Sequence, residues 1–333
     1  MILAGIDEAG YGPLLGPLVV GCAAFELPDP DPRPDPAQQA DGEAELPCLW
    51  TALRRAVSKS RDRKGRRIHV NDSKLVYSSS AGLKELERSV LAIAAAWQTP
   101  AGSLLELLQQ VAAGSVGELS EYRWYAASAN EPFPRELDAA AVRMMANALK
   151  AECERAKVRC VHLAARVLPE RHFNQLVERT RNKSSVLFSA AAGHLDHLLR
   201  TYGDQNLVIF CDRQGGREHY GGLLRLMFEE WSLRIERESE GHSEYRLLRG
   251  EHAVRVIFRE KAETLCMSVA VASMLCKYLR EMMMHRFNAY WQALVPGVNP
   301  TAGYYTDGLR FLKDIDAKRT ELGITDGEMV RAR

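Results

Sequence analysis

Residues 5–13 read GIDEAGYGP and follow directly on the apolar start MILA. An apolar run closes on two adjacent acids, Asp7 and Glu8, and the turn after them carries Gly10 and Gly12 around Tyr11. Asp and Gly are ordinary turn formers, so a strand that stops in DEAG is unremarkable by itself. That reading leaves the second acid and the second glycine unexplained. The next segment, GPLVVGCAAFEL, is strand-like as well, so the two segments predict an antiparallel hairpin at the head of the fold.

Working outward, the chain mixes strand and helix patterns. LVIFCD (207–212) is a near-continuous apolar run that ends on Asp212, the pattern of a buried central strand. AVRVIFRE (253–260) alternates as a strand, and RCVHLAARVLP (159–169) reads as another. Helical patterns cover 80–97, 136–156, 184–202 and 217–231, and the apolar stretch 263–291 reads as one long helix. Residues 100–135 are ambiguous, and no internal repeat is present. The expected fold is α/β: a mixed sheet with antiparallel strands first and parallel strands later, flanked by helices. No Pro-rich linker divides two cores, so 1–333 is expected to form a single domain.

Composition narrows the function classes. The 333 residues are 46% hydrophobic and 26% charged, within the range of soluble globular proteins. The net charge of +1 gives no global pull toward a polyanion, so such a partner would have to meet a local patch. One candidate lies at 54–67, where Arg54, Arg55, Lys59, Arg61, Arg63, Lys64, Arg66 and Arg67 face only Asp62. It reads either as a solvated loop or as a phosphate contact, and the acidic, Pro-rich stretch from 27 to 45 beside it is expected to be an extended surface insertion that can mask it. The seven cysteines form no CxxC pair, which suits reduced thiols in a cytoplasm rather than a disulfide framework. No apolar run approaches the ~20 residues that cross a membrane, and a monomer is expected. His194 and His197 can share a helix face as metal ligands, but no matching Cys or acid set points to zinc, so a solvated helix face is expected. GYGPLLG is not a dinucleotide fingerprint, because its glycines are wrongly spaced and acids precede them.

Three apolar strands therefore end in acids: Asp7 with Glu8, Asp212, and Glu260 with Glu263. In an open α/β sheet such ends can converge on one crevice. Two carboxylates 4 Å apart repel by roughly 4 kcal/mol at an effective dielectric near 20. Such a cluster must share protons or hold cations, and an oxygen-only set suits Mg²⁺ or Mn²⁺. Two such ions about 4 Å apart are the usual machinery for in-line attack on a phosphodiester.

These residues carry a resemblance. GIDEAGYGPLLGPLVV resembles the opening motif of the type 2 ribonuclease H family, the ribonucleases HII and HIII. NDSKL (71–75), LVIFCD (207–212), EKAETLCMSVAVASMLCK (260–277) and AGYYTDGLRFL (302–312) follow in the family's order, interrupted by insertions at about 26–68, 98–180 and 213–252. The resemblance implies a ribonuclease H-like fold and a two-metal endonuclease that cleaves RNA in RNA–DNA hybrids or at embedded ribonucleotides. Carried over by position, Asp7, Glu8, Asp212 and Glu263 would be both catalytic residues and metal ligands. Glu281 competes with Glu263, but it lies 18 residues further along the same predicted helix, about 27 Å at 1.5 Å per residue, so both cannot hold one metal pair.

The resemblance further implies substrate-binding roles. Gly10, Tyr11 and Gly12 occupy a loop whose backbone reads a ribose 2′-hydroxyl, Asn71, Ser73 and Lys74 fall near substrate phosphates, and Tyr304 packs against a sugar. The chain departs from the family at three places: Tyr11 replaces a basic residue, Arg213 replaces a glycine, and Thr301-Ala302 replaces His-Lys. The alternative expectation is a nucleic-acid-binding protein that keeps the fold with altered catalysis.

Overall fold

The structure, a computed structural model, describes residues 1–29, 46–77, 82–126 and 131–332. Most of the acidic, Pro-rich stretch lies outside the described residues. Nine strands are present among them: β1 (Ile2–Ala9), β2 (Leu18–Glu26), β3 (Val57–Ser58), β4 (Ile68–His69), β5 (Arg159–Leu168), β6 (Leu207–Asp212), β7 (Ser232–Ser239), β8 (His242–Arg249) and β9 (His252–Arg259). Seven form one sheet in the order β5-β2-β1-β6-β9-β8-β7, and β3 and β4 make a separate parallel ribbon.

The hairpin expected from the opening segment is there, with β1 antiparallel to β2. β1, β6 and β9 run parallel at the centre, and antiparallel strands close both edges: β5 on β2, and β8 and β7 beyond β9. The sheet is thus mixed, antiparallel first, as expected, and it returns to antiparallel pairing at its far edge. Segments 98–180 and 213–252 contribute β5, β7 and β8 to this same sheet. The β7–β8 hairpin is absent from the sequence reading. Its signals are alternation at Leu233 and Ile235, then at Tyr245 and Leu247, around a Glu240-Gly241 turn with Gly241 at φ +71°. The charged residues that interleave on this exposed edge strand obscure that pattern.

Helices cover both faces. The helix Met267–Leu294 lies against β1 and β2 at a distance that only glycine permits. A Cβ on Gly5 would stand 2.1 Å from Val269 N, and one on Gly21 would stand 2.6 Å from Cys276 Sγ. The opposite face carries the helix Lys183–Tyr202, whose Val186, Leu187, Ala191, Leu195 and Leu198 bury against Ile2, Ala4 and Ile6. Among the described residues no helix is long and apolar enough to cross a membrane.

Three helix boundaries differ from expectation. Segment 80–97 becomes helical at Lys84, and segment 217–231 shrinks to Gly221–Met227 behind a turn with Gly215 and Gly216 at φ +55° and +82°. The stretch 263–291 is not one helix. A short helix, Ala262–Leu265, is followed by extended Cys266 (φ −122°, ψ 119°) before the long helix begins. The Ser268 hydroxyl donates to Leu3 O at 2.9 Å, so the first turn of the long helix is fastened to β1 while the short helix stays with the end of β9. The ambiguous 100–135 stretch holds two helices, Leu104–Val111 and Ala113–Ser120.

Gly5→Ala should lower the urea midpoint. Overpacking of this kind costs roughly 1–3 kcal/mol, since the obstructing atoms are backbone and cannot rotate away.

Candidate active site

The parallel register sets the acids side by side. Ile6 pairs with Cys211 and Cys211 with Phe258, so Asp212, one residue on, stands level with Asp7 and opposite Arg259. Asp7 is 7% exposed and faces the long helix, where the Ser273 hydroxyl hydrogen-bonds its carboxylate and Cys276 Sγ donates to its carbonyl at 3.4 Å. Its Oδ1 accepts from Glu8 N at 2.7 Å. Asp212 Oδ1 accepts from Ala262 N at 3.1 Å, which anchors the short helix that carries Glu263, and a side-chain hydrogen bond joins Asp212 to Glu263. Glu263 is 8% exposed, and its Oε2 is buried without a partner.

None of the four has a Lys, Arg or His nitrogen within 4.0 Å among the described residues. Burial accordingly holds all four carboxyls toward the protonated form, and mutual repulsion adds to it at Asp7, Glu8 and Glu263. Asp7 is pushed well above the usual range by burial, then by Glu8 and Asp212. Glu8 is pushed up to about 8 by burial, then by Asp212 and Glu263, against the pull of Lys74. Burial also raises Asp212, and Glu263 rises to about 7 through burial, then Asp212 and Asp72. The acids feel one another without closing up. Among the described residues, the set of three ligand atoms that all lie within 4.8 Å of one another belongs to Cys22, His162 and His194.

The competing acids are neutralised. Glu260 Oε2 pairs with Arg213 Nη2 at 3.2 Å, so the arginine at the glycine position serves as its counter-ion. Glu281 accepts from Tyr77 OH at 3.0 Å and pairs with Lys277. With Glu263 on its own short helix, the distance along one helix no longer enters the choice between Glu263 and Glu281; the free Oε2 of Glu263 does. An oxygen-only donor set, largely buried and without a counter-cation, fits Mg²⁺ or Mn²⁺.

The glycine loop borders this crevice. Gly10 has φ +86°, and a Cβ there would stand 2.6 Å from Pro17 O and from Arg280 Nε, so this position demands glycine. Gly12 faces open space, with no atom within 4 Å of a Cβ built on it. Between them the Tyr11 ring packs near Gly215, and Lys183 Nζ stands 4.8 Å from its centroid. Lys183, the first residue of the helix Lys183–Tyr202, thus sets a cation beside the Tyr11 ring.

Two buried guanidiniums hold the loop from below. Arg331 donates to Tyr11 O at 2.9 Å and to Pro13 O at 2.6 Å, and Arg280 donates to Ala302 O at 3.0 Å and Leu15 O at 3.4 Å. Glu170 accepts from Gly16 N at 3.1 Å and Tyr125 OH at 2.7 Å. Burial pushes Glu170 up to about 7 and, with the charge of Arg280, draws Arg331 down to about 10. These clamps escape sequence reading because Arg280 interrupts an apolar helix and Arg331 stands in a short basic tail.

The remaining predicted residues divide. Ser73 Oγ lies 3.1 Å from Ser273 Oγ, the hydroxyl that also reaches Asp7, and Lys74 stands exposed where its field acts on Glu8, Asp212 and Glu263. The Asn71 side chain is committed to the fold, donating to Lys59 O at 2.7 Å and accepting from Asp72 N at 2.8 Å. Tyr304 is 56% exposed, with the Arg280 guanidinium 5.9 Å from its ring. The basic run winds around Asp62, which accepts from Lys64, Arg66 and Arg67 amides, and Lys59 Nζ donates to Thr264 O, next to Glu263.

The molecule is therefore a mixed α/β protein with a cluster of acids at the C-terminal ends of its central strands, none of them directly paired with a cation among the described residues. Its structure is similar to ribonuclease HII from Archaeoglobus fulgidus, solved as a PCNA:RNase HII complex, at 15% identity, covering 100% of this chain and 95% of that one with a TM-score of 0.41. It is also similar to ribonuclease H2 from Pyrococcus horikoshii OT3 (13% identity, 99% and 92% covered, TM-score 0.39) and RNase H3 from Aquifex aeolicus (14%, 99% and 71%, TM-score 0.38). No protein-family model matches the sequence, and no curated protein matches it.

Raised carboxyl pKa values mean that the metal-free folded chain binds more protons than the unfolded chain between the unfolded values near 4 and the folded values near 7 and 8. Its unfolding free energy should fall as pH rises through that window. Mg²⁺ should therefore raise the midpoint of thermal unfolding more at pH 8 than at pH 5.5, as scanning calorimetry would measure.

Proposed function

We propose that this protein is a metal-dependent endoribonuclease that cleaves the RNA of RNA–DNA hybrids, or embedded ribonucleotides, by two-metal-ion phosphodiester hydrolysis. The observation that carries this reading is the clustering of Asp7, Glu8, Asp212 and Glu263 at the strand ends, buried or half-buried and, among the described residues, without a directly paired cation, beside a glycine loop. The order of the sequence motifs supports the ribonuclease H assignment.

In this reading the four carboxylates hold the ions, with the free Oε2 of Glu263 as one donor. When bound, Mg²⁺ or Mn²⁺ supplies Lewis acidity to the phosphate and lowers the pKa of an attacking water. The chain's own residues do the positioning. Ser273 orients Asp7, and Asp212 sets Glu263 through the short helix it caps. Lys74, exposed beside the acids, meets a substrate phosphate without neutralising the ligands by direct pairing. Open space over Gly12 admits a sugar-phosphate to the loop backbone, and the Arg331 and Arg280 clamps keep that backbone fixed while it reads a 2′-hydroxyl. Tyr304 offers a ring to the neighbouring sugar, and Lys59 leads from the crevice into the basic run. The products would carry 3′-hydroxyl and 5′-phosphate ends.

The test is cleavage of a full hybrid, a duplex with one ribonucleotide and an all-DNA duplex, each with Mg²⁺ or Mn²⁺. Ribonucleotide-containing substrates should be cut and the all-DNA duplex spared. Equal cutting of all three would remove the loop's role, and binding without cutting would favour the nucleic-acid-binding alternative. Asp7→Asn should lower kcat by more than about 100-fold, since even residues that only support metal ligands are worth 10–100-fold. Tyr11→Arg should tighten substrate binding by no more than about 1 kcal/mol, because Lys183 already places a cation there. Neutralising Arg61, Arg63 and Arg66 should flatten the slope of log affinity against log salt by about 2–3, at roughly 0.9 per lost phosphate contact. An unchanged slope would return that run to solvent.

A further inference from the structure

On the sheet face opposite the long helix, Cys22, His162 and His194 bring their ligand atoms within 4.8 Å of one another. Three separate elements build this meeting. In the β2–β5 register Cys22 pairs with Ala164 and Ala24 with His162, so Cys22 and His162 are diagonal neighbours on one face. His194 comes from the helix Lys183–Tyr202, which packs on that face, and His197 one turn along stacks its ring on His162 at 4.1 Å. Asp7 faces the long helix across the sheet, so the thiol and the imidazoles are separated from it by the sheet itself.

We propose that Cys22, His162 and His194 form a binding site for a borderline-soft divalent cation, Zn²⁺, separate from the acid cluster. A thiolate with two imidazoles is the donor chemistry of zinc and not of Mg²⁺ or Mn²⁺, which take oxygen. Zinc bonds of about 2.0–2.3 Å in a tetrahedron put ligand atoms about 3.4–3.8 Å apart, so side-chain rotations of an ångström or so close the site. His194 Nε2 lies 3.1 Å from Val20 O, a group that can only accept, so Nε2 carries the proton and Nδ1 keeps the lone pair a metal needs. His162 Nε2 is buried with no hydrogen-bond partner, a deficit that a cation would remove.

A groove of about 400 Å³ between β5 and the helix, lined in part by Ala165, Ser189 and Gly193, reaches His194 and gives an ion a way in. On binding, the Cys22 thiol loses its proton to solvent as the sulfur–metal bond forms. The bound ion would pin edge strand β5 and the helix to β2, which makes it a clamp on the fold.

The test uses the full chain, freed of metal with a chelator and held in excess Mg²⁺ to occupy the oxygen crevice. Titration with Co²⁺ should give a thiolate-to-cobalt charge-transfer band and tetrahedral ligand-field bands that saturate at one ion per chain, and Zn²⁺ should abolish them. Cys22→Ser should lose the charge-transfer band, His162→Gln should weaken binding at least tenfold, and Asp7→Asn should leave the band in place. Absence of the band in folded wild-type protein overturns the proposal. So does a band that persists at full strength in Cys22→Ser. Should Cys22→Ser fail to fold, the wild-type titration and His162→Gln decide, with protection of the wild-type thiol from alkylation by Zn²⁺ as the independent readout.

Discussion

The parallel pairing of β1, β6 and β9 is the constraint on which the crevice depends. Side chains in adjacent parallel strands sit at shared levels, so strands that end together deliver their last residues to one place. Here β1 and β6 bring Asp7, Glu8 and Asp212 to that end, and the short helix after β9 adds Glu263; all four are buried or half-buried and, among the described residues, none has a direct counter-ion. The result is a local excess of negative potential that the chain tolerates only by proton uptake or by binding cations. Arg213 pairs with Glu260 and Lys277 with Glu281, whereas Asp7, Glu8, Asp212 and Glu263 have no directly paired cation among the described residues.

Buried charge serves the neighbouring loop in a different way. Arg280 and Arg331 spend their donors on backbone carbonyls at Tyr11, Pro13, Leu15 and Ala302, where no helix or sheet partner exists. The loop is rigid because its carbonyls are satisfied from beneath, and Gly10 must lack a Cβ because the Arg280 side chain passes directly below it. Glu170 offsets the charge of Arg331 and holds Gly16. One charge network thus fixes the backbone of this loop, at which Gly12 lies exposed to solvent.

The two faces of the sheet offer a cation different chemistry. Hard oxygen ligands gather at the strand ends, and a thiol with two imidazoles gathers on the face beneath the helix Lys183–Tyr202. Softness separates them, so an ion suited to one is a poor fit to the other. Both arise from the same β1–β2 hairpin, whose alternating side chains send Asp7 to one face and Cys22 to the other.

Periodicity made the hairpin, β6, β9 and most helices legible, since burial on one or both faces leaves a pattern in local sequence. The acids at the strand ends were legible for the same reason: a charge that closes an apolar run stands out. The break at Cys266 was not, because a single extended residue between two helical turns leaves the apolar pattern intact. Nor were the edge hairpin β7–β8, where charged residues mask the alternation, and the clamps of Arg280 and Arg331, whose partners are backbone carbonyls. The meeting of Cys22 with His162 and His194 was equally hidden, since strand pairing across more than a hundred residues creates it. Sequence alone determined which residues carry charge and which strands bury. The tertiary structure decided which charges are cancelled and which thiol meets which imidazole, because proximity between distant segments is set by sheet register and helix packing, and neither is written in local composition.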